Sequence, residues 1–278
     1  MSSYAVNRAL GHVAQLARGM PVDRSLRVTL NFHPDRIVDG RPILIAMAED
    51  GVYRSQFETR TSNGGLTAYP GGDRWLWESR IFGGWYNGAD ASLRPKYGAL
   101  NHRRRRVGGA PRFGSAHFRL TQGTLDRSSF CFPDSVFEPE QFGVAGSCDL
   151  VAVADEAPVD LLDDYVEAHV HGIVDLETDV EALVLDPCFR GTPVEAHARR
   201  LPCAVEWHDG YRLGVETLSA HPHYRGPEYV EAGLTLARDG FLTPCEIGAA
   251  ARGGRYPDLV LKRVWHYLAR FGQVTSAG

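Results

Sequence analysis

Three short segments of this chain hold more polar and ionisable side chains than their surroundings require. The richest is Tyr165-Val166-Glu167-Ala168-His169-Val170-His171-Gly172. Side chains alternate between the faces of a strand, so Tyr165, Glu167, His169 and His171 share one face, with Val166, Ala168 and Val170 behind. A carboxylate and two imidazoles in a row, fixed by an apolar back, suit general acid–base catalysis or metal ligation. A solvent-exposed polar face is the plain alternative. The second segment, Arg112-Phe113-Gly114-Ser115-Ala116-His117-Phe118, carries a glycine inside a strand pattern, which marks a bulge or a close packing partner. Ser115 and His117 point with Phe113, but no GxSxG elbow makes the serine a nucleophile. The third, Tyr53-Arg54-Ser55-Gln56-Phe57-Glu58, read as a strand, leads into Ser62-Asn63-Gly64-Gly65. An arginine beside a glycine loop can grip a phosphate or carboxylate with paired N–H donors, and Asn63-Gly64 lets a ligand approach the backbone. The alternative there is a surface salt bridge between Arg54 and Glu58.

These segments need elements to position them. Apolar spacing predicts a helix over residues 4–18 and a half-buried strand over 27–33, closed by His33-Pro34-Asp35-Arg36, a turn that could add a ligand or a base. Asp39 reads as the N-cap of a helix beginning near Pro42 and closing at Gly51. Strands are expected at 52–58, 97–101, 112–120, 129–132, 165–171 and 203–208, with a loop over 61–73 and a glycine-rich segment around Trp75, Trp77 and Trp85. Thr178 and Glu181 have capping-box spacing and predict a helix that Asp186-Pro187 ends; Thr243-Pro244-Cys245-Glu246 has the same box. A last helix places Leu261, Val264, Trp265 and Leu268 on one face and stops at Gly272. No internal repeat or low-complexity linker interrupts the chain. It reads as one domain over 1–278, with a core at about 22–210 and a helical part at about 211–272.

Composition narrows the functional classes. Hydrophobic residues make up 44% and charged residues 23% of the 278, ordinary for a globular protein. A net charge of −4 argues against nucleic acid or an acidic membrane as the main partner. Lys96 and Lys262 are the sole lysines among 30 basic residues, as in a GC-rich coding genome. Arg103-Arg104-Arg105-Arg106 reads as a solvated charged tip without the aromatic platforms that nucleic-acid binding requires, and His221-Pro222-His223 as a loop. Cys131, Cys148, Cys188, Cys203 and Cys245 are odd in number and lack CxxC spacing, which fits buried thiols in a reducing cytoplasm. No stretch approaches a signal peptide or a membrane span. The expected location is cytoplasmic.

Six stretches, VTLNFHPDR (28–36), GVYRSQFETRTSNGGLTAYPGGDRWLWE (51–78), RPKYGALN (94–101), RFGSAHFRL (112–120), YVEAHVHGIVDLETDVEALVLDP (165–187) and VWHYLARFG (264–272), make the sequence resemble the bacterial family known as domain of unknown function 3626. The order of the three polar segments is also similar to that of mono-ADP-ribosyltransferases, which place an arginine after an aromatic, then a serine motif, then a catalytic glutamate. Tyr53-Arg54, Phe113-Gly114-Ser115 and Glu167 match in that order, at intervals of 61 and 52 residues. This resemblance implies a mostly antiparallel, split-sheet α+β fold with flanking terminal helices and NAD as the substrate. It implies that Arg54 holds the phosphates or the nicotinamide-side ribose and that Ser115 braces the pocket. Glu167 would bind a ribose hydroxyl and stabilise an oxocarbenium-like transition state. Tyr165 stands where the family has an acidic or amide residue two before the glutamate, His169 stands two after, and the second serine has no counterpart. ADP-ribosyl transfer to an unspecified acceptor and NAD hydrolysis therefore both stay open. Two other classes remain: a metal-dependent hydrolase using His169 and His171, for which the remaining chain is too short to form a (β/α)₈ barrel, and a non-catalytic binding module.

Overall fold

The computed structural model describes residues 2–60 and 68–274. Asn63 and Gly64 lie outside the described residues. Eight strands form the central sheet: β1 (Val28–Phe32), β2 (Lys96–Leu100), β3 (Ala116–Leu120), β4 (Ser128–Phe132), β5 (Gln141–Val144), β6 (Val166–Val170), β7 (Val180–Leu185) and β8 (Ala204–Trp207). Their order is β8-β7-β3-β1-β2-β6-β4-β5, antiparallel throughout except for the β7–β8 pair. The fold is α+β, with one large, mostly antiparallel sheet. Strands β1 and β2 pair through Val28–Leu100 and Thr29–Ala99 alone and part beyond that point.

Both faces of the sheet are covered. Helix α1 (Ser2–Leu16) and helix α3 (Asp73–Ile81) pack Ala9, Val13, Trp77 and Ile81 over Cys131 and Phe142 on one face. On the other, Leu44 of α2 (Ile43–Asp50), with Leu150 and Ala154 of α4 (Leu150–Glu156), covers Leu30, Phe118, Phe130 and Ala168. Strand β1 is therefore buried along its whole length rather than half-exposed, as is β6. A second apolar cluster gathers Leu213, Leu218 and Val230 with Ile247, Val264 and Leu268. It joins α5 (Pro227–Leu236), α6 (Pro244–Arg252) and α7 (Asp258–Phe271). The Trp265 indole ties α7 to the sheet by donating to the carbonyls of Pro111 and Arg112, each at 3.1 Å.

Several sequence expectations are corrected. Residues 52–58 are not a strand. After the two-residue Val52–Tyr53 the chain turns into Gln56–Thr59, with Ser55 as N-cap in a capping box with Glu58. Polar residues that can satisfy helical N–H groups locally overrode the short alternation. Asp39 caps nothing; it sits at φ 50° in the hairpin between Ile37–Val38 and Arg41–Pro42. Pro111–Phe113 is a 3₁₀ turn, so Gly114 precedes the strand instead of bulging within it. The glycine-rich tryptophan segment contains α3. Residues 178–185 are not a helix: Thr178 lies in a turn, where Asp175 takes its N–H and hydroxyl at 2.9 and 3.2 Å, and Val180–Leu185 form β7, in which Glu181 accepts from Arg27 and Arg119. The arginine run is ion-paired rather than merely solvated: Arg103 and Arg105 share Asp164, Arg104 meets Asp23 and Arg106 meets Asp209. The fold also brings together two of the scattered cysteines, with the thiols of Cys188 and Cys245 2.8 Å apart. Among the described residues no helix is long and apolar enough to cross a membrane.

Candidate functional site

Where β1 and β2 part, a cleft of about 510 Å³ opens, within the range of small-molecule sites. Asn31 and Phe32 line it from β1, Tyr97 and Gly98 from β2, and Glu167 from β6. The segment after α2 contributes Tyr53, Arg54 and Ser55, and the 3₁₀ turn before β3 contributes Phe113. Three polar segments separated widely in the chain thus border one space.

Two carboxyl groups, those of Glu167 and Asp134, lie on the cleft wall, each buried. Ser135 Oγ lies between them, 3.2 Å from Glu167 Oε2 and 3.3 Å from Asp134 Oδ1, with one proton to donate to either. The Tyr165 hydroxyl donates to Asp134. Burial pushes the Glu167 carboxyl above its ordinary range, with Arg74, Asp134 and Ser135 pulling it back. Asp134 is raised by burial and by the neighbouring Glu167 charge. The buried Arg74 guanidinium lies 3.9 Å over the Tyr97 ring and 3.5 Å from Ser135 Oγ. Its charge acts on Glu167, and α3 holds it there over Tyr97 of β2.

Behind Glu167 runs a buried hydrogen-bonded row. His169 Nε2 is 3.0 Å from Glu167 Oε1, and Ser129 Oγ links His169 Nδ1 (3.2 Å) to His171 Nε2 (2.8 Å). The Tyr86 hydroxyl is 2.7 Å from His171 Nδ1. Burial pushes His169 down to about 3, with Arg74 adding to the effect, and holds His171 well below its usual value. Burial thus favours the neutral form of both imidazoles. His171 has both ring nitrogens engaged by Ser129 and Tyr86, so the two histidines do not form a ligand pair.

The sequence-selected residues fall into two groups. Tyr53, Arg54, Ser55, Phe113 and Glu167 line the cleft. His169 and His171 stand behind it. Ser115 is buried, with its hydroxyl meeting no partner among the described residues and its carbonyl accepting from His208 at 2.8 Å. Gly114 packs against the Phe32 backbone so closely that a Cβ there would overlap it. Arg54 pairs with Asp50 at 2.8 Å rather than with Glu58. Ser55 is spent on its capping box and on the Ala91 carbonyl at 2.7 Å. Four cationic groups on the cleft wall, Arg36, Arg74, Lys96 and Lys262, form no ion pair among the described residues, Lys96 donating instead to backbone carbonyls such as that of Gly172 at 2.8 Å.

Sequence reasoning missed Arg74, Cys131, Asp134 and Ser135. One signal existed: Ser129 and Cys131 are two apart on an expected strand and so share a face. Which strand that face would meet was not readable. The family profile of the protein of unknown function DUF3626 matches residues 27–155 and 144–271, nearly the whole chain. The chain belongs to this family. No curated protein matches it. The matched region contains every cleft residue named above.

Proposed function

We propose that this protein binds a nucleotide of the NAD class in the cleft and cleaves its ribosyl–nicotinamide bond, passing the ADP-ribosyl group to water or to an acceptor. One observation carries the reading: the Glu167 carboxylate borders a nucleotide-sized cleft whose wall also carries Arg36, Arg74, Lys96 and Lys262, cations with no ion pair among the described residues. The cations suit phosphate oxygens, and the Tyr53 and Phe113 rings offer apolar faces to a base or pyridine ring. In the reaction the C1′–N bond breaks and its electron pair leaves on the nicotinamide nitrogen. Positive charge develops on the ribose, and a fixed carboxylate in a site shielded from water stabilises it. The attacking water then adds to C1′ and sheds its proton to the Asp134–Glu167 pair. Arg54 keeps the phosphate-side role only by exchanging its Asp50 partner for the ligand.

The test is nicotinamide release from NAD by the full chain, with calorimetry for binding, comparing wild type with Glu167→Gln. The expected outcome is NAD binding by both proteins and turnover at least 100-fold slower in the variant, as is usual when a transition-state charge partner is removed. Absence of NAD binding by wild type, or turnover unchanged by Glu167→Gln, would overturn the proposal.

A further inference from the structure

Glu167 has a second set of neighbours that the proposed reaction does not use. Cys131 Sγ lies 3.8 Å from Glu167 Oε1 and 3.9 Å from His169 Nε2, and those two atoms are 3.0 Å apart. All three side chains are buried, with Cys131 and His169 wholly inaccessible. Donor atoms held at roughly 2.0–2.3 Å around a tetrahedral zinc ion are separated from one another by about 3.3–3.6 Å. The three edges here match that triangle to within a few tenths of an ångström. We propose that Cys131, Glu167 and His169 bind one divalent ion of the zinc class, Glu167 through its inner oxygen Oε1. This goes beyond the glycosidic chemistry and does not depend on it, because Oε2 stays turned toward Ser135 and Asp134.

The surroundings favour such an ion. A metal-binding imidazole presents a lone pair from one nitrogen while the other donates a hydrogen bond that fixes the ring. The buried row accommodates that arrangement when its protons run from His169 Nδ1 to Ser129 Oγ, from the Ser129 hydroxyl to His171 Nε2, and from His171 Nδ1 to the Tyr86 hydroxyl oxygen. In this direction Nε2 of His169 keeps a lone pair facing Glu167 Oε1 and Cys131; run the other way, the row ends with His169 Nε2–H donating to Glu167 Oε1, and a bound ion takes the place of that proton. Charge agrees as well. Ion binding sends the Cys131 proton to solvent, and the thiolate left behind is the soft anionic donor that a zinc-class ion takes up. A mixed sulfur, nitrogen and oxygen set selects a borderline ion over magnesium or calcium. Glu167 is the one ligand of the three that borders the cleft, so the fourth position falls on that side to water or to a ligand atom.

The experiment uses the full chain, stripped with a chelator and titrated with Co²⁺ in the absence of nucleotide. Wild type is expected to take up one equivalent with a thiolate-to-cobalt charge-transfer band that Zn²⁺ abolishes. Cys131→Ser should lose the band, whereas Cys148→Ser should keep it. Ser129→Ala should keep the band and bind about 10–100-fold more weakly. No binding by wild type, or a band that survives Cys131→Ser, overturns the assignment. Should Cys131→Ser fail to fold, X-ray absorption on zinc-loaded wild type decides: one sulfur in the coordination shell supports the site, and a shell of nitrogen and oxygen alone refutes it. None of these readouts involves NAD, so this site and the nucleotide reading can fail separately.

Discussion

His266 on α7 offers a quantitative test of the packing in the helical part of the chain. Its ring is wholly buried, and neither nitrogen meets a hydrogen-bonding partner among the described residues. Burial, reinforced by the surrounding cations Arg112, Arg225, Lys262 and Arg263, pushes the imidazole down to about 2. In the unfolded chain the same group takes up a proton near its ordinary value of 6.5. The folded pKa is thus depressed. The contribution to stability is complete above about pH 6.5 and drains away as the pH falls, because the unfolded state alone binds the proton. Between pH 7 and pH 5 the linkage for one such group amounts to about 1.9 kcal/mol. Buried Glu78, Asp134 and Glu167 titrate in the opposite sense, so the wild-type profile alone does not isolate this effect. The perturbation is therefore His266→Phe, which preserves an aromatic ring and removes the proton acceptor. Urea unfolding of both proteins at pH 7 and pH 5 should show wild type losing about 1.9 kcal/mol relative to the variant. Parallel losses in the two proteins would refute the reasoning, since the imidazole would then have to be reachable by protons in the folded state.

Two further outcomes follow from buried contacts around the cleft. Gly114→Ala drives a methyl group into the Phe32 backbone, so the variant should lose about 1–3 kcal/mol or more in thermal or urea unfolding, and wild-type stability would show that the turn before β3 can shift. Arg94→Met strips the guanidinium, 2.6 Å away, from the buried Glu78 carboxylate, at a cost of about 3–5 kcal/mol. Burial already pushes Glu78 up to about 7 against the pull of Arg94. The loss should accordingly be larger at pH 8 than at pH 5, where the carboxyl is protonated, and a loss independent of pH would contradict that account.

The sequence by itself determined the alternating strands β2, β4, β6 and β8, the amphipathic α7, and the start of α6. For α6, Thr243, Pro244 and Glu246 satisfy the free helical N–H groups through contacts within one turn. It also selected Tyr53, Arg54, Phe113 and Glu167, since their types and local spacing carry chemistry wherever the chain places them. Tertiary structure decided what local rules leave undetermined. Thr178 and Glu181 carry a helix signal, yet β7 forms because it pairs with both β3 and β8 and because Arg27 and Arg119 hold Glu181. Cys131 meets Glu167 because β4 is registered against β6, with Cys131 opposite Glu167, and that pairing leaves no mark on either strand alone. Arg74 lies close to Glu167 through the packing of α3 on the sheet. A strand alternation tells which side chains share a face. The burial of that face, and the neighbours it meets, follow from long-range pairings that release more apolar surface from water than any local preference can oppose.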